Sequence, residues 1–98
     1  MKEPRRRRAE RQEQYESDAY RALLRRFTAN LRRIREARAW TQEEAGARCG
    51  MVMQMYQRIE SAGVNVTLTT VTRLSAGFEV DAHELFAPID APPPRDAQ

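Results

Sequence analysis

The stretch that most constrains this chain is Thr41 to Ala62, TQEEAGARCGMVMQMYQRIESA. It reads as two short helices joined by a tight turn. Thr41 can cap the first helix by accepting from an unpaired first-turn N–H, and Glu44 three residues on completes a capping box. Ala45 and Cys49 recur at four-residue spacing and give that helix one small apolar stripe. Gly50 breaks the pattern, as a residue that turns with positive φ does. A second helix then resumes, with Met51, Tyr56 and Ile59 available to face inward.

The rest of the chain bounds what this hairpin belongs to. Ninety-eight residues make one domain plus tails. A hydrophobic content of 41% suffices for a compact helical core but not for an enclosed catalytic chamber. The single cysteine, Cys49, forms no internal disulfide, and no Cys/His cluster has metal-ligand spacing. No Ser/His/Asp or Cys/His grouping suggests catalysis, so the expectation is a non-enzyme with no cofactor and no metal. The basic N-terminus is not followed by an apolar run, so neither a signal peptide nor a membrane span is expected. The expected compartment is the cytoplasm.

Charge is distributed unevenly. Residues 1–38 carry 13 Lys/Arg against 6 Asp/Glu, whereas residues 39–98 carry 4 against 8. Such asymmetry is an electrostatic footprint for a polyanion, and it lies upstream of the hairpin. Sixteen of the 17 basic residues are Arg. Arg suits bidentate phosphate contacts, although a GC-rich genome produces the same bias.

Read in order, residues 1–8 form a basic, disordered arm, with Arg5, Arg6, Arg7 and Arg8 as sequence-blind phosphate contacts. Residues 9–26 form an amphipathic helical extension, with Tyr15, Ala19, Ala22, Leu23 and Phe27 on its apolar stripe. Ser17 or Asp18 can cap a helix here and Thr28 another, so one long helix and two abutting ones both fit. The stripe is covered either by the domain itself or by its copy in a dimer, the latter being favoured. Leu31, Ile34, Ala37 and Trp40 continue the pattern. After Ile59, Ser61-Ala62-Gly63 ends the helix. Thr67 caps a fourth helix with Leu68, Val71, Leu74 and Ser75 inward and Gly77 at its close. Asp81 and Glu84 form the capping box of a fifth. His83 is a surface residue, and Leu85, Phe86 and Ile89 finish the core. Residues 90–98 contain three consecutive prolines and read as a disordered tail.

Two helices about a Gly turn form the pattern of DNA-binding helix-turn-helix proteins, though any α-hairpin shares that spacing. The landmarks around it are more specific: LRRIREAR (Leu31–Arg38), TQEEA (Thr41–Ala45), Gly50, RIE (Arg58–Glu60), Asn65 with Leu68, and Leu85-Phe86. Together they make Asn30 to Phe86 resemble the Cro/repressor-type (XRE-like) helix-turn-helix family without an insertion. The resemblance implies an all-α, compact five-helix, lambda-repressor-like DNA-binding domain over residues 27–89. It places Gln42 at a phosphate and the third helix in the major groove. It puts Met53, Gln54 and Gln57 toward the bases with Arg58 behind them, and Asn65 near the backbone; Thr67, through its hydroxyl or backbone amide, is a further candidate for a phosphate. Gln bonds adenine N6 and N7, and Met53 suits a thymine methyl.

Three positions depart from the family: its C-cap glycine comes one residue earlier, at the Ala62 position, so the cap shifts to Gly63 here; Val66 stands where Pro usually follows Asn65; and the third helix lacks its usual cap. Ser or Thr usually caps the third helix and binds phosphate where Val52 stands. Met51, Val52, Met53 and Met55 make this segment apolar, and clustered Met is also what adaptable protein-binding surfaces use. Two functions therefore fit this sequence. The first is a sequence-specific transcriptional regulator that binds double-stranded DNA as a homodimer on a palindromic operator. The alternative is the same fold turned into a protein-interaction module, antiactivator or antitoxin-like, whose Met-rich third helix docks a protein partner.

Overall fold

The computed structural model describes residues 17–62 and 64–89. Among these it contains four α-helices, one 3-10 helix and no strand. The α-helices are α1 (Asp18–Ala37), α2 (Gln42–Arg48), α3 (Met53–Glu60) and α4 (Leu68–Phe78), and Ala82–Phe86 forms the 3-10 helix. The arm with Arg5, Arg6, Arg7 and Arg8, the first part of the extension with Tyr15, and the proline-rich tail lie outside the described residues.

Of the two readings of the upstream segment, one uninterrupted helix is observed. Ser17 caps α1 by accepting from the Tyr20 N–H at 3.1 Å. Thr28 starts nothing: its hydroxyl donates back to the Leu24 carbonyl at 3.1 Å, inside the helix. The buried side of α1 is Phe27, Leu31 and Ile34, with Leu24 packed against them. Leu23 and Ala37, expected on that stripe, are exposed; Leu23 shares the face of Phe27 but lies one turn beyond the packed core, on an open groove with Leu24 and Phe27.

The core is small and is filled from every element: Phe27, Leu31 and Ile34, then Ala45 and Cys49, Tyr56 and Ile59, Val71, Leu74 and Phe78, and finally Leu85. Phe86 stacks on Phe27 at 5.1 Å, and Trp40 stacks on Phe78 at 5.6 Å. Asn30, fully buried on α1, donates its amide to the Leu85 and Ala87 carbonyls at 3.2 and 3.0 Å. That polar clamp ties the last element back to the first.

The fifth helix expected from Asp81 is a single 3-10 helix of five residues. Asp81 N–H does donate to the Glu84 carboxylate at 3.2 Å. Pro88 ends the element early, since the residue before a proline is pushed to extended geometry and Ala87 sits at φ −64°, ψ 144°. Ile89 follows and is exposed rather than part of the core.

Two helix ends also differ from expectation. The left-handed position after α3 falls on Ala62 (φ 66°), not on a C-cap shifted to Gly63, which lies outside the described residues. Gly77 does not close α4; the helix runs on to Phe78 and Glu79 takes the left-handed position at φ 59°. Gly77 is small for a different reason. A Cβ there would lie 2.6 Å from the Cys49 sulfur and 2.7 Å from the Arg48 carbonyl oxygen. Gly77 is thus where α4 and the end of α2 approach too closely for any side chain. Leu68, expected inward, is 84% exposed at the first position of α4.

Candidate nucleic-acid interface

α2 and α3 form the hairpin read from Thr41 to Ala62. Thr41 accepts from the Glu44 N–H at 3.0 Å and Glu44 accepts from the Thr41 N–H at 2.8 Å, which completes the capping box. Gly50 makes the turn at φ 72°. Two bonds then fix the turn: Met51 N–H donates to the Gly46 carbonyl at 2.9 Å, and Arg73 of α4 donates to the Gly50 carbonyl at 2.7 Å.

A buried carboxylate holds this hairpin to α1. The Glu60 side chain is 2% exposed. Arg35 grips it with two bonds, Nε to Oε2 at 2.8 Å and Nη2 to Oε1 at 3.1 Å. The Tyr56 hydroxyl donates to Oε2 at 2.7 Å and the Gln42 amide to Oε1 at 2.8 Å. Arg35 also donates to the Trp40 carbonyl at 2.9 Å, so one guanidinium fastens the end of α1, the loop and α3. Burial alone pushes the Glu60 carboxyl up, but the hydrogen bonds from Arg35, Tyr56 and Gln42 and the Arg35 charge outweigh it. The carboxyl is held below its usual range and stays ionised. The bond to Glu60 raises the Arg35 guanidinium, and burial, together with donation to Glu60, raises the Tyr56 phenol.

The position of Gln42 follows from this carboxylate. Its Nε2 donates to Glu60, and its Oε1 accepts from the Gln57 Nε2 at 3.0 Å. Gln42 and Gln57, assigned on sequence to a phosphate and a base respectively, are thus joined amide to amide. A carboxamide carries two N–H donors, so each keeps one for an outside acceptor. The backbone N–H groups of Gln42 and Glu43 precede the capped turn and have no intrahelical partner. A helix start of this kind favours an anion.

The outward face of α3 is sorted by exposure. Gln54, Gln57 and Arg58 are exposed, and Met53 is half-buried. Met51 and Met55 pack against the core. The apolar run is therefore divided, and its well-exposed member is Val52, at 67%. Val52 is the N-cap of α3 and makes no side-chain cap bond. Val52→Thr, nearly isosteric, should add that bond and raise stability by about 1 kcal/mol, measured as a shift of the urea midpoint; an unchanged midpoint would show that the first turn is already satisfied.

The remaining candidates lie elsewhere. Asn65 is exposed, and its side-chain oxygen accepts from the Tyr20 hydroxyl at 3.5 Å. The Thr67 hydroxyl caps α4 by accepting from Thr70 N–H at 3.2 Å. Both line an open groove with Tyr20, Leu23, Leu68 and Phe86. His83 is exposed. Cys49 is buried; burial pushes its thiol up to about 11, against the opposing charge of Arg73, so it is protonated and unreactive at neutral pH. Sequence reasoning missed Arg35 and Glu60 as the scaffold of this site. The available signal was a Glu in an otherwise inward-facing register beside Tyr56 and Ile59.

Comparison with known proteins agrees with this architecture. A family model described as a helix-turn-helix domain matches residues 26–86. The chain is 29% identical over 59 residues to the Neisseria hypothetical transcription factor of Neisseria meningitidis serogroup B, covering 60% of this chain. It spans 56% of the length of that curated relative. The crystal structure of the hypothetical transcription factor NHTF from Neisseria superposes with a TM-score of 0.65 at 27% identity, over 68% of this chain and 77% of that one. With the matched segment running from α1 through the 3-10 helix, and the capped α2, the Gly50 turn and the outward polar face of α3 inside it, this chain belongs to the helix-turn-helix domain family.

Proposed function

We propose that this chain is a sequence-specific DNA-binding transcriptional regulator whose α3 enters the major groove. The observation that carries the reading is the Gln42–Gln57 pair anchored on Glu60. It couples a helix start suited to a phosphate with the exposed face of the next helix, and it holds both amides in fixed orientation before any DNA arrives. In this reading Gln42, Asn65 and Thr67 take backbone positions, joined by Arg5, Arg6, Arg7 and Arg8. Gln54, Gln57, Met53 and Arg58 supply sequence choice. A homodimer on a palindrome places two α3 helices roughly 34 Å apart. Such a regulator acts in the cytoplasm, on the nucleoid.

The protein-docking alternative, in its Met-rich form, requires the methionines to form one exposed patch. Met51 and Met55 are engaged with the core, which leaves too little of that patch to favour it.

The test is Gln54→Ala and Gln57→Ala against a duplex selected by the wild type. Each should relax preference at one base position and reduce affinity by about 1–3 kcal/mol there. Base preference unchanged in both would remove α3 as the reading element. Deleting residues 1–8 should weaken binding to all sequences alike. It should also flatten the dependence of log affinity on log salt, by roughly 0.9 for each phosphate that the arm neutralises. An unaltered slope would show that the arm neutralises none.

A further inference from the structure

We infer that Val52 reads the 5-methyl group of a thymine in the major groove. This rests on the DNA-reading role proposed above. The position is unusual on local grounds. A hydroxyl or carboxylate at the N-cap satisfies an orphan N–H of the first turn, and Val52 leaves Met53, Gln54 and Met55 without one. Where a chain breaks a local rule without a structural gain nearby, function is the expected reason. Val52 supplies no such gain to the core: it is 67% exposed, while its apolar neighbours Met51 and Met55 turn inward and Tyr56 and Ile59 are buried.

The side chain suits a methyl group. Valine is β-branched and stiff at χ1, so holding it against a partner loses little rotamer freedom. Its neighbour Gln54 is exposed and its amide is suited to an adenine edge. On the major-groove edge of B-DNA the thymine methyl is the one apolar group; the other features are hydrogen-bond donors and acceptors. An apolar contact there removes both methyl surfaces from water. The uncapped N–H groups at the same helix start favour a neighbouring phosphate.

The experiment uses the full chain and the duplex enriched from a randomised pool. Each thymine is replaced singly by deoxyuracil, which removes the methyl and leaves the hydrogen-bonding edge unchanged. Wild type should lose about fourfold in affinity at one thymine per half-site, the value of one buried methyl. Val52→Ala should bind the unmodified duplex more weakly and show no further loss with uracil at that position. Val52 is exposed, so this variant is expected to fold, and its circular dichroism verifies that. Three results overturn the proposal: no uracil-sensitive thymine, a penalty of equal size in Val52→Ala, or a sensitivity abolished by Met53→Ala but not by Val52→Ala. Each of these leaves α3 as a DNA reader. Failure to enrich any duplex removes the DNA-reading role and this inference together.

Discussion

Replacing Arg35 with methionine should destabilise the domain by about 3–5 kcal/mol, much of what a domain of this size has to spare. The loss does not come from the pair's own worth. It comes from leaving Glu60, with its side chain 2% exposed, charged and without its bidentate partner. Arg32 is the internal control. It stands 3.9 Å from Glu60 with half its side chain in solvent, so Arg32→Met should change stability by under about 1 kcal/mol. Urea unfolding of the three proteins checks this, and equal midpoints would show that Glu60 does not depend on Arg35.

The same carboxylate sets a pH dependence of known sign. Glu60 has a folded value below its ordinary 4.5. Its contribution is therefore fully present above about pH 4.5 and is lost as pH falls through the lower folded value. In Arg35→Met the dominant influence left on Glu60 is burial, which raises the carboxyl. The difference in stability between wild type and variant should then narrow on acidification. A constant difference from pH 7 to pH 3 would contradict an ionised Glu60 as the seat of the effect.

The second large effect is expected at Gly77. Adding one methyl by Gly77→Ala forces a Cβ to 2.6 Å from the Cys49 sulfur and 2.7 Å from the Arg48 backbone oxygen. Backbone gives way less readily than a side-chain tip, so the cost belongs toward the upper end of the roughly 1–3 kcal/mol typical of overpacking. Because the clash is between α4 and the end of α2, the variant should also bind DNA less well than its folded fraction predicts. Cys49→Ala removes only one of the clashing atoms, so combining it with Gly77→Ala should restore part of the stability. No recovery in the double variant would place the strain wholly on the backbone, at the Arg48 carbonyl and the Cys49 Cα.

How much of this could be read in advance depended on the range of the interaction. The α2 capping box, the Gly50 turn and the Thr67 cap each depend on residues a few positions apart, and local spacing reveals such pairs. The inward register of Tyr56 and Ile59 was legible for the same reason. Glu60 was not, because its partner Arg35 is 25 residues away and Gln42 is 18 away; several arginines on α1 looked equivalent in sequence. Gly77 misled for a related reason. A glycine near a predicted helix end resembles a stop signal, whereas here it serves a close approach to residues 28 and 29 positions upstream. Within the Met-rich run the inward register of Met51 is legible, but composition does not reveal which side of the helix Met53 and Met55 occupy. Met55, four residues before the buried Ile59, turns inward with it. The candidate site was legible as residue types at Gln42, Gln54 and Gln57, but not as the Gln42–Gln57 amide pair, since that bond exists only after α2 and α3 are packed.

The measurement that bears most directly on the central claim is selection of bound duplexes from a randomised pool, using the purified full chain at near-physiological salt. The account predicts enrichment of a two-fold symmetric sequence whose half-sites lie about one helical turn apart. A folded protein that enriches no sequence, or that holds DNA only at low salt, would contradict α3 as a reader of base sequence.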